Sequence, residues 1–157
     1  METTLSAARL AAPLQQNHRD HAMIDRHLAY AILRLTLAIN ILLHGLVRFP
    51  QLNQFARGLV QSFTKTPLPP EFVRLFAIML PFIETVVGLL LLLGLWMRTA
   101  LMIGGLWVAA LAFGTALRSD WDTLGIQMIY AAIYYLLLAN RRDNRFSIDN
   151  LSAGRIA

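Results

Sequence analysis

Four long apolar stretches dominate this chain and constrain its fold more than any other feature. They cover residues 28–47, 72–97, 99–117 and 121–139. A helix needs roughly 20 mostly apolar residues to cross the hydrocarbon core of a bilayer, and each stretch is about that long. The strands of a β-barrel would instead give short segments of alternating hydrophobicity. The sequence therefore predicts an all-α fold, a four-helix transmembrane bundle.

The composition supports a membrane location. Hydrophobic residues make up 57% of the 157 residues and charged residues only 15%, whereas soluble domains typically carry about 25% charged residues. A chain of this size cannot bury so much apolar surface in water. These values exclude a free cytosolic enzyme and a disordered chain. Despite the net charge of +5, we expect the lipid bilayer, and no nucleic acid, as partner, because basic residues beside apolar spans suit anionic headgroups.

The segments outside residues 28–139 are polar. Residues 1–27 contain no apolar run long enough for a signal peptide, and we interpret them as a retained N-terminal tail with a short helix around residues 5–12. Residues 140–157 form a basic C-terminal tail. More lysine and arginine residues lie on the side of the two tails than on the opposite side. The positive-inside rule therefore predicts a multi-pass protein with both termini in the cytoplasm.

The connection between the first two spans has a pattern of its own. Apolar residues recur there at helical spacing, namely Leu52, Phe55, Leu59, Val60 and Phe63. This pattern predicts a short amphipathic helix in the membrane interface. Pro67, Pro69 and Pro70 follow and end it. We favour a linker that re-enters the membrane, and the alternative is a lid over a pocket.

Two ionisable residues lie deep inside the predicted spans. Arg34 is in the first span and Glu84 in the second. At a rise of about 1.5 Å per residue, both lie about 18–20 Å below the same membrane edge. Charges inside a bilayer are costly and mark functional sites, so we predict an Arg34–Glu84 ion pair. The alternative is that such a pair only fixes the register of the helices.

Further polar side chains share helix faces with this pair. Asn40, His44 and Arg48 follow Arg34 in the first span, and the fourth span places Gln127, Tyr130 and Tyr134 on one face. If these faces point inward, the four helices enclose an amphipathic cavity that opens outward. The alternatives are a structural histidine and tyrosines that anchor the chain at the interface.

Metal and thiol chemistry find little support in the sequence. The chain has no cysteine, which excludes disulfides, thiolate ligands and thiol redox chemistry by its own residues. His18, His21 and His27 fit a solvated tail better than a metal site, and no zinc-ligand spacing or phosphate-binding glycine motif is present. We therefore predict no metal site.

Two motifs resemble the DoxX-like family of small four-span membrane proteins. They are LRLTLAINILLHGLVRF, which contains Arg34, His44, Gly45 and Arg48, and ETVVGLLLLLGLWMRTA, which contains Glu84, Gly88, Gly94 and Arg98. The resemblance covers about residues 28–139. The chain departs from the family at Arg48, where lysine is frequent, and at Val87, where a small residue is common. The resemblance implies a bacterial inner-membrane protein associated with an oxidoreductase, because the family's name-giving member is similar to a subunit of a thiosulfate:quinone oxidoreductase.

The first functional hypothesis is a quinone-interacting subunit of an oxidoreductase system. Glu84 would carry protons and His44 would donate to a quinone carbonyl, as the catalytic residues. The ligand-binding residues would be Arg34, Asn40, Arg48, Gln127, Tyr130 and Tyr134. A quinone is then the expected cofactor. Electrons must come from a soluble or membrane partner subunit, or from a reductant that reaches the site directly, because the chain has no thiol, metal or flavin centre of its own.

Two other functions remain open at this point. The bundle could be a non-catalytic membrane anchor or assembly subunit for a redox complex, or a small-solute binding or transport protein. The sequence leaves open whether the chain is an enzyme. Gly104, Gly105 and Gly114 could form a flat face for a homodimer.

Overall fold

The computed structural model describes the backbone of residues 2–153 and the side chains of residues 21–150. Six helices form this part of the chain: α1 (Glu2–Leu46), α2 (Leu52–Ser62), α3 (Pro70–Leu93), α4 (Met97–Leu117), α5 (Trp121–Ala139) and α6 (Ile148–Ala153). Two short 3-10 helices span Phe49–Gln51 and Arg141–Asp143. The described backbone contains no strand. Four helices are long and apolar enough to cross a membrane, which confirms the predicted all-α transmembrane bundle.

Helices α1 and α3 are antiparallel and touch at two glycines. A Cβ atom added to Gly45 would lie 2.7 Å from the Pro81 carbonyl oxygen, and one added to Gly88 would lie 2.6 Å from the Leu42 backbone nitrogen. Such close approach of two helix backbones requires residues without a side chain. The two contacts fix the register, in which the segment 42–45 of α1 lies level with the segment 81–88 of α3.

Helices α4 and α5 also meet at a glycine, but here a tyrosine ring of α5 fills the space beside it. The Tyr134 ring lies directly on Gly104, where an added Cβ would come within 2.5 Å of the tyrosine hydroxyl oxygen. All four long helices contribute to the buried core, which includes Leu37, Ala38, Leu91, Leu101 and Leu137.

Helix α2 forms where the apolar spacing predicted a short helix. Its Ala56 is buried, and the helix packs on α3. Pro69 and Pro70 then start α3, with Pro70 in the first turn, where its missing N–H costs nothing.

The C-terminal segment is docked on the bundle. The Asp149 carboxylate accepts hydrogen bonds from the backbone N–H groups of Trp96 and Met97, each at 3.0 Å. These contacts hold the turn between α3 and α4, in which Trp96 has a left-handed backbone with φ 48°. Arg26 and Asp143 form an ion pair at 3.0 Å. Thus the part of the predicted tail between residues 140 and 150 packs against α1 and the α3–α4 turn.

Helix α1 is longer than the predicted first span. Its backbone is helical from Glu2, so it includes the short helix predicted at residues 5–12. The side chains of residues 1–20 lie outside the described part of the chain, and so does the prediction that concerns His18.

Candidate functional site

A cavity of about 280 Å³ lies beneath α2. Its lining is mostly apolar and comes from four helices and the segments beside them: Phe55 and Leu59 of α2, Phe72, Val73, Phe76 and Leu80 of α3, Ala110, Leu111, Phe113, Gly114 and Thr115 of α4, and Thr123 and Gln127 of α5, together with Arg48, Phe63, Leu68 and Arg118 outside these helices. We call this space the α2 cavity. Because the apolar face of α2 forms one of its walls, the structure favours the alternative interpretation of this connection, a lid over a pocket, over a plain linker.

Two arginines contribute positive charge to the cavity wall, and each lies against a phenylalanine, Phe55 within α2 and Phe63 directly after it. The Arg48 guanidinium lies 5.0 Å from the Phe55 ring centroid, and that of Arg118 lies 5.1 Å from the Phe63 ring centroid. Both distances are typical of cation–π contacts. These contacts attach α2 to the ends of the spanning helices.

Each of the two arginines is also paired with a carboxylate. Arg48 forms an ion pair with Glu84, and Arg118 forms one with Asp120 at 3.2 Å. The two positive charges at the cavity are therefore balanced by two negative charges within the chain.

Two residues of the cavity lining, Gln127 and Arg118, each have a buried polar atom without a hydrogen-bond partner among the described residues. Gln127 Nε2 donates to Thr115 Oγ1 at 3.0 Å, but Gln127 Oε1 is buried and has no hydrogen-bond partner among the described residues. The same is true of Arg118 Nε. Buried polar atoms without partners are rare in folded proteins. One free acceptor and one free donor thus belong to residues that line the cavity.

The predicted Arg34–Glu84 ion pair was wrong. Glu84 pairs with Arg48, whereas the Arg34 guanidinium donates to Asn144 Oδ1 at 2.9 Å and lies against Gly94. The prediction took residues 47 and 72 as the ends of the two spans and placed them at the same depth. The glycine contacts instead place Glu84 level with Gly45. Arg34 is therefore about 15 Å away along α1. Arg34 is 4% exposed and lies at the opposite end of the bundle from the α2 cavity.

Two other predicted site residues meet in a separate place. Tyr130 donates a hydrogen bond from its hydroxyl to Asn40 Oδ1 at 2.8 Å. Both side chains line a groove of about 230 Å³ between α1 and α5. His44 is exposed, its Nδ1 donates to the Asn40 carbonyl at 2.9 Å, and it does not line the α2 cavity. The structure thus distributes the predicted site residues over several places.

Glu84 and Tyr134 come together at a small void. This void has a volume of about 20 Å³, and Trp107 also lines it. Trp107 Nε1 is buried without a partner among the described residues. The space is sufficient for one water molecule.

Asp120 lies between α4 and α5, outside the spanning helices, and pairs with Arg118 of the cavity wall. It is the N-cap of α5 and accepts a hydrogen bond from the Thr123 N–H at 3.2 Å. Hydrogen bonds from Thr123, and next the charge of Arg118, lower the pKa of the Asp120 carboxyl below its ordinary value. The carboxylate therefore stays ionised at neutral pH and keeps Arg118 paired.

Three residues that line the α2 cavity were not predicted as site residues from the sequence, namely Thr115, Arg118 and Phe63. Arg118 follows the third span as Arg48 follows the first, and this similarity is the signal that points to it. No short-range pattern relates Arg118 to Phe63, because the two meet only through tertiary packing.

Of the three glycines proposed for a homodimer face, Gly104 is buried, and Gly105 and Gly114 are partly exposed. The Tyr134 ring lies on Gly104, and Phe63 lies 3.2 Å from a Cβ added to Gly114. Gly104 is therefore covered by the protein's own Tyr134. The homodimer stays a prediction.

The described side chains include no group of three or more histidine, cysteine, aspartate or glutamate residues arranged to hold a metal.

Fold and cavity together define a small multi-pass membrane protein with a mostly apolar pocket. Residues 25–125, about two thirds of the chain, match the family described as methylamine utilisation protein MauE. The chain therefore belongs to the MauE family. No curated protein and no solved structure matches it. The matched family is not the DoxX-like family, but the prediction of a small multi-pass membrane protein stands.

Proposed function

We propose that this protein is a quinone-interacting subunit of an oxidoreductase system in the bacterial inner membrane, with the α2 cavity as its quinone site. The observation that carries the proposal is an apolar cavity of about 280 Å³ whose lining residues include one free donor and one free acceptor. This volume is at the lower end of the range for small-molecule sites. It suits a quinone ring, with the isoprenoid tail in the lipid.

The free polar atoms match both redox states of a quinone. The carbonyl oxygens of the oxidised form accept hydrogen bonds, which Arg118 Nε can donate. A hydroxyl group of the quinol can donate to Gln127 Oε1. Because both arginines at the cavity have carboxylate partners, the charge balance favours a neutral ligand over an anionic one.

Glu84 is the candidate proton carrier in this proposal. It contacts Arg48, which lines the cavity, and its other side faces the small void with Tyr134. Reduction of a quinone to a quinol consumes two electrons and two protons. The electrons must come from a partner subunit, since the chain contains no cysteine. The family description adds methylamine utilisation, and oxidation of an amine is a reaction that releases electrons.

A non-catalytic anchor or assembly subunit is the second candidate function. The lack of cysteine favours it, because the chain cannot run thiol chemistry itself. The small-solute binding or transport hypothesis stays a prediction without a specific observation in its favour.

Quinone binding by the purified full chain tests the proposal. We expect the lipid extract of the purified protein to contain quinone, and decylubiquinone to bind to quinone-depleted protein. Gln127→Leu should weaken binding about tenfold, because it removes the free acceptor and the contact with Thr115. Tyr130→Phe, in the separate groove, serves as the control and should bind normally. Absence of binding together with co-purification of a soluble partner would favour the anchor function.

A further inference from the structure

A second concave surface lies on the other face of α2. It is a groove of about 480 Å³ between α2 and α3. Asn53, Arg57 and Gln61 of α2 line it, together with Thr64 and with Arg74 of α3. We call it the α2–α3 groove. Helix α2 is therefore a wall shared by two sites of opposite character, because its apolar face lines the α2 cavity and its polar face lines this groove.

The charges in the groove are not balanced within the described part of the chain. Arg57 and Arg74 are exposed, and neither forms an ion pair or a hydrogen bond with a described residue. No aspartate or glutamate lines the groove. This arrangement contrasts with Arg48 and Arg118 at the α2 cavity, each of which has a carboxylate partner. The groove therefore carries uncompensated positive charge and selects for an anion.

The groove also lies at the depth of lipid headgroups. Arg74 is in the first turns of α3, which begins at Pro70, and Arg57 is in the middle of the amphipathic helix α2. An amphipathic helix that follows a spanning helix lies at the boundary between hydrocarbon and water. At that boundary, the anions present at high concentration are phosphate groups of lipids.

We infer that the α2–α3 groove binds the phosphodiester group of an anionic phospholipid. Guanidinium groups recognise phosphate oxygens through paired, charge-assisted hydrogen bonds. The side-chain amides of Asn53 and Gln61 supply neutral donors beside the two arginines. A phosphate held by Arg57 and Arg74 joins α2 to α3, so a bound lipid stabilises the lid of the α2 cavity. This inference does not depend on what the cavity binds.

Lipid-dependent stability of the full chain in detergent tests the inference. The probes are short-chain phosphatidylglycerol, short-chain phosphatidylcholine and inorganic phosphate, each titrated while the unfolding temperature is recorded. We expect phosphatidylglycerol to stabilise the protein saturably and the other two to have no comparable effect. Arg57→Gln with Arg74→Gln should weaken the apparent affinity for phosphatidylglycerol about thirtyfold, and each single variant about fivefold. Arg141→Gln with Arg142→Gln, at the opposite end of the bundle, is the matched control and should retain normal affinity.

Three results would overturn the inference. Equal stabilisation by phosphatidylglycerol and phosphatidylcholine would show that the anionic headgroup is not recognised. An effect of phosphatidylglycerol that persists in the Arg57/Arg74 double variant would place the lipid elsewhere. Equal stabilisation by inorganic phosphate, lost in the same variant, would show that the groove binds free phosphate instead of lipid. Circular dichroism checks that each variant is folded.

Discussion

Arg48, two residues after the end of α1, donates a hydrogen bond to the carboxylate of Glu84 in the middle of α3. Glu84 is 7% exposed, so the pair is largely removed from solvent. Arg48 also lines the α2 cavity and lies on the Phe55 ring. One side chain thus connects the lid helix, the cavity and the buried carboxylate.

A double-mutant cycle on this pair gives the first prediction. Arg48→Gln should destabilise the protein by about 3–5 kcal/mol, because it leaves the buried Glu84 carboxylate without its partner. Glu84→Gln should cost less, because the Arg48 side chain is 23% exposed and still lies on the Phe55 ring. The double variant should lose clearly less than the sum, with a coupling of at least about 1 kcal/mol. Unfolding in mixed detergent micelles measures the four free energies. Arg34→Gln combined with Glu84→Gln is the control, and coupling above about 0.5 kcal/mol there would contradict the pairing seen here.

Two adjacent glycines of α4 give a second prediction. Gly104→Ala places a methyl group within 2.5 Å of the Tyr134 hydroxyl oxygen, whereas Gly105→Ala places it 3.7 Å from Tyr134 Cβ. The first substitution should destabilise the protein by about 1–3 kcal/mol, because α4 and α5 must move apart. The second should leave stability within about 1 kcal/mol or raise it, since alanine favours the helix. Equal effects of the two variants would contradict the packing of Tyr134 on Gly104.

The N-cap of α5 gives a prediction about pH. The folded pKa of Asp120 lies below its ordinary value of 3.8. The cap therefore contributes its full stability above the ordinary value, and this contribution is lost as the pH falls through the lowered folded pKa. At neutral pH, Asp120→Ala should lower the unfolding temperature by a few degrees.

Thermal scans of the wild type and the Asp120→Ala variant across this pH range measure the difference. It should be constant from pH 7 to about 5 and should shrink in more acidic solution. Asp122→Ala is the control, because Asp122 is exposed and Asp120, not Asp122, is the N-cap of α5. A difference that grows on acidification would show that the ionised Asp120 is not the stabilising form.

Two adjacent alanines of α4 test where the ligand binds. Ala110 lines the α2 cavity and Ala109 does not, although both are exposed. Ala110→Phe should fill part of the cavity and lower the affinity for decylubiquinone about tenfold or more, while Ala109→Phe should leave it unchanged. Equilibrium binding to detergent-purified protein gives the affinities. Equal losses in the two variants would mean that the cavity is not the binding site.

The helices could be predicted from sequence because their signals are local. Each apolar run lies within one span. The spacing of Phe55, Leu59 and Phe63 likewise lies within the segment that forms α2 and its C-terminal end. The helices formed where these patterns indicated. The pairing of Glu84 could not be predicted in the same way. It depends on the register of α1 against α3, which Gly45 and Gly88 set through backbone contacts between distant parts of the chain.

The residues of the candidate site were likewise predicted only in part. Arg48 and Gln127 were predicted to bind a ligand, and both line the α2 cavity. Arg118 was missed, because a charged residue after a span usually marks only the membrane edge. Its contacts with Phe63 and Ser62 bring together residues more than fifty positions apart, and such contacts leave no periodic trace in the sequence.

Photoaffinity labelling with an azidoquinone tests the central proposal most directly. The full chain is labelled in membranes, and the modified peptides are identified by mass spectrometry with an excess of decylubiquinone as competitor. The account predicts competed labelling in residues 52–63 of α2 and in residues 110–127, around Gly114, Thr115 and Arg118. Labelling confined to the groove between Asn40 and Tyr130, with none at the α2 cavity, would contradict it.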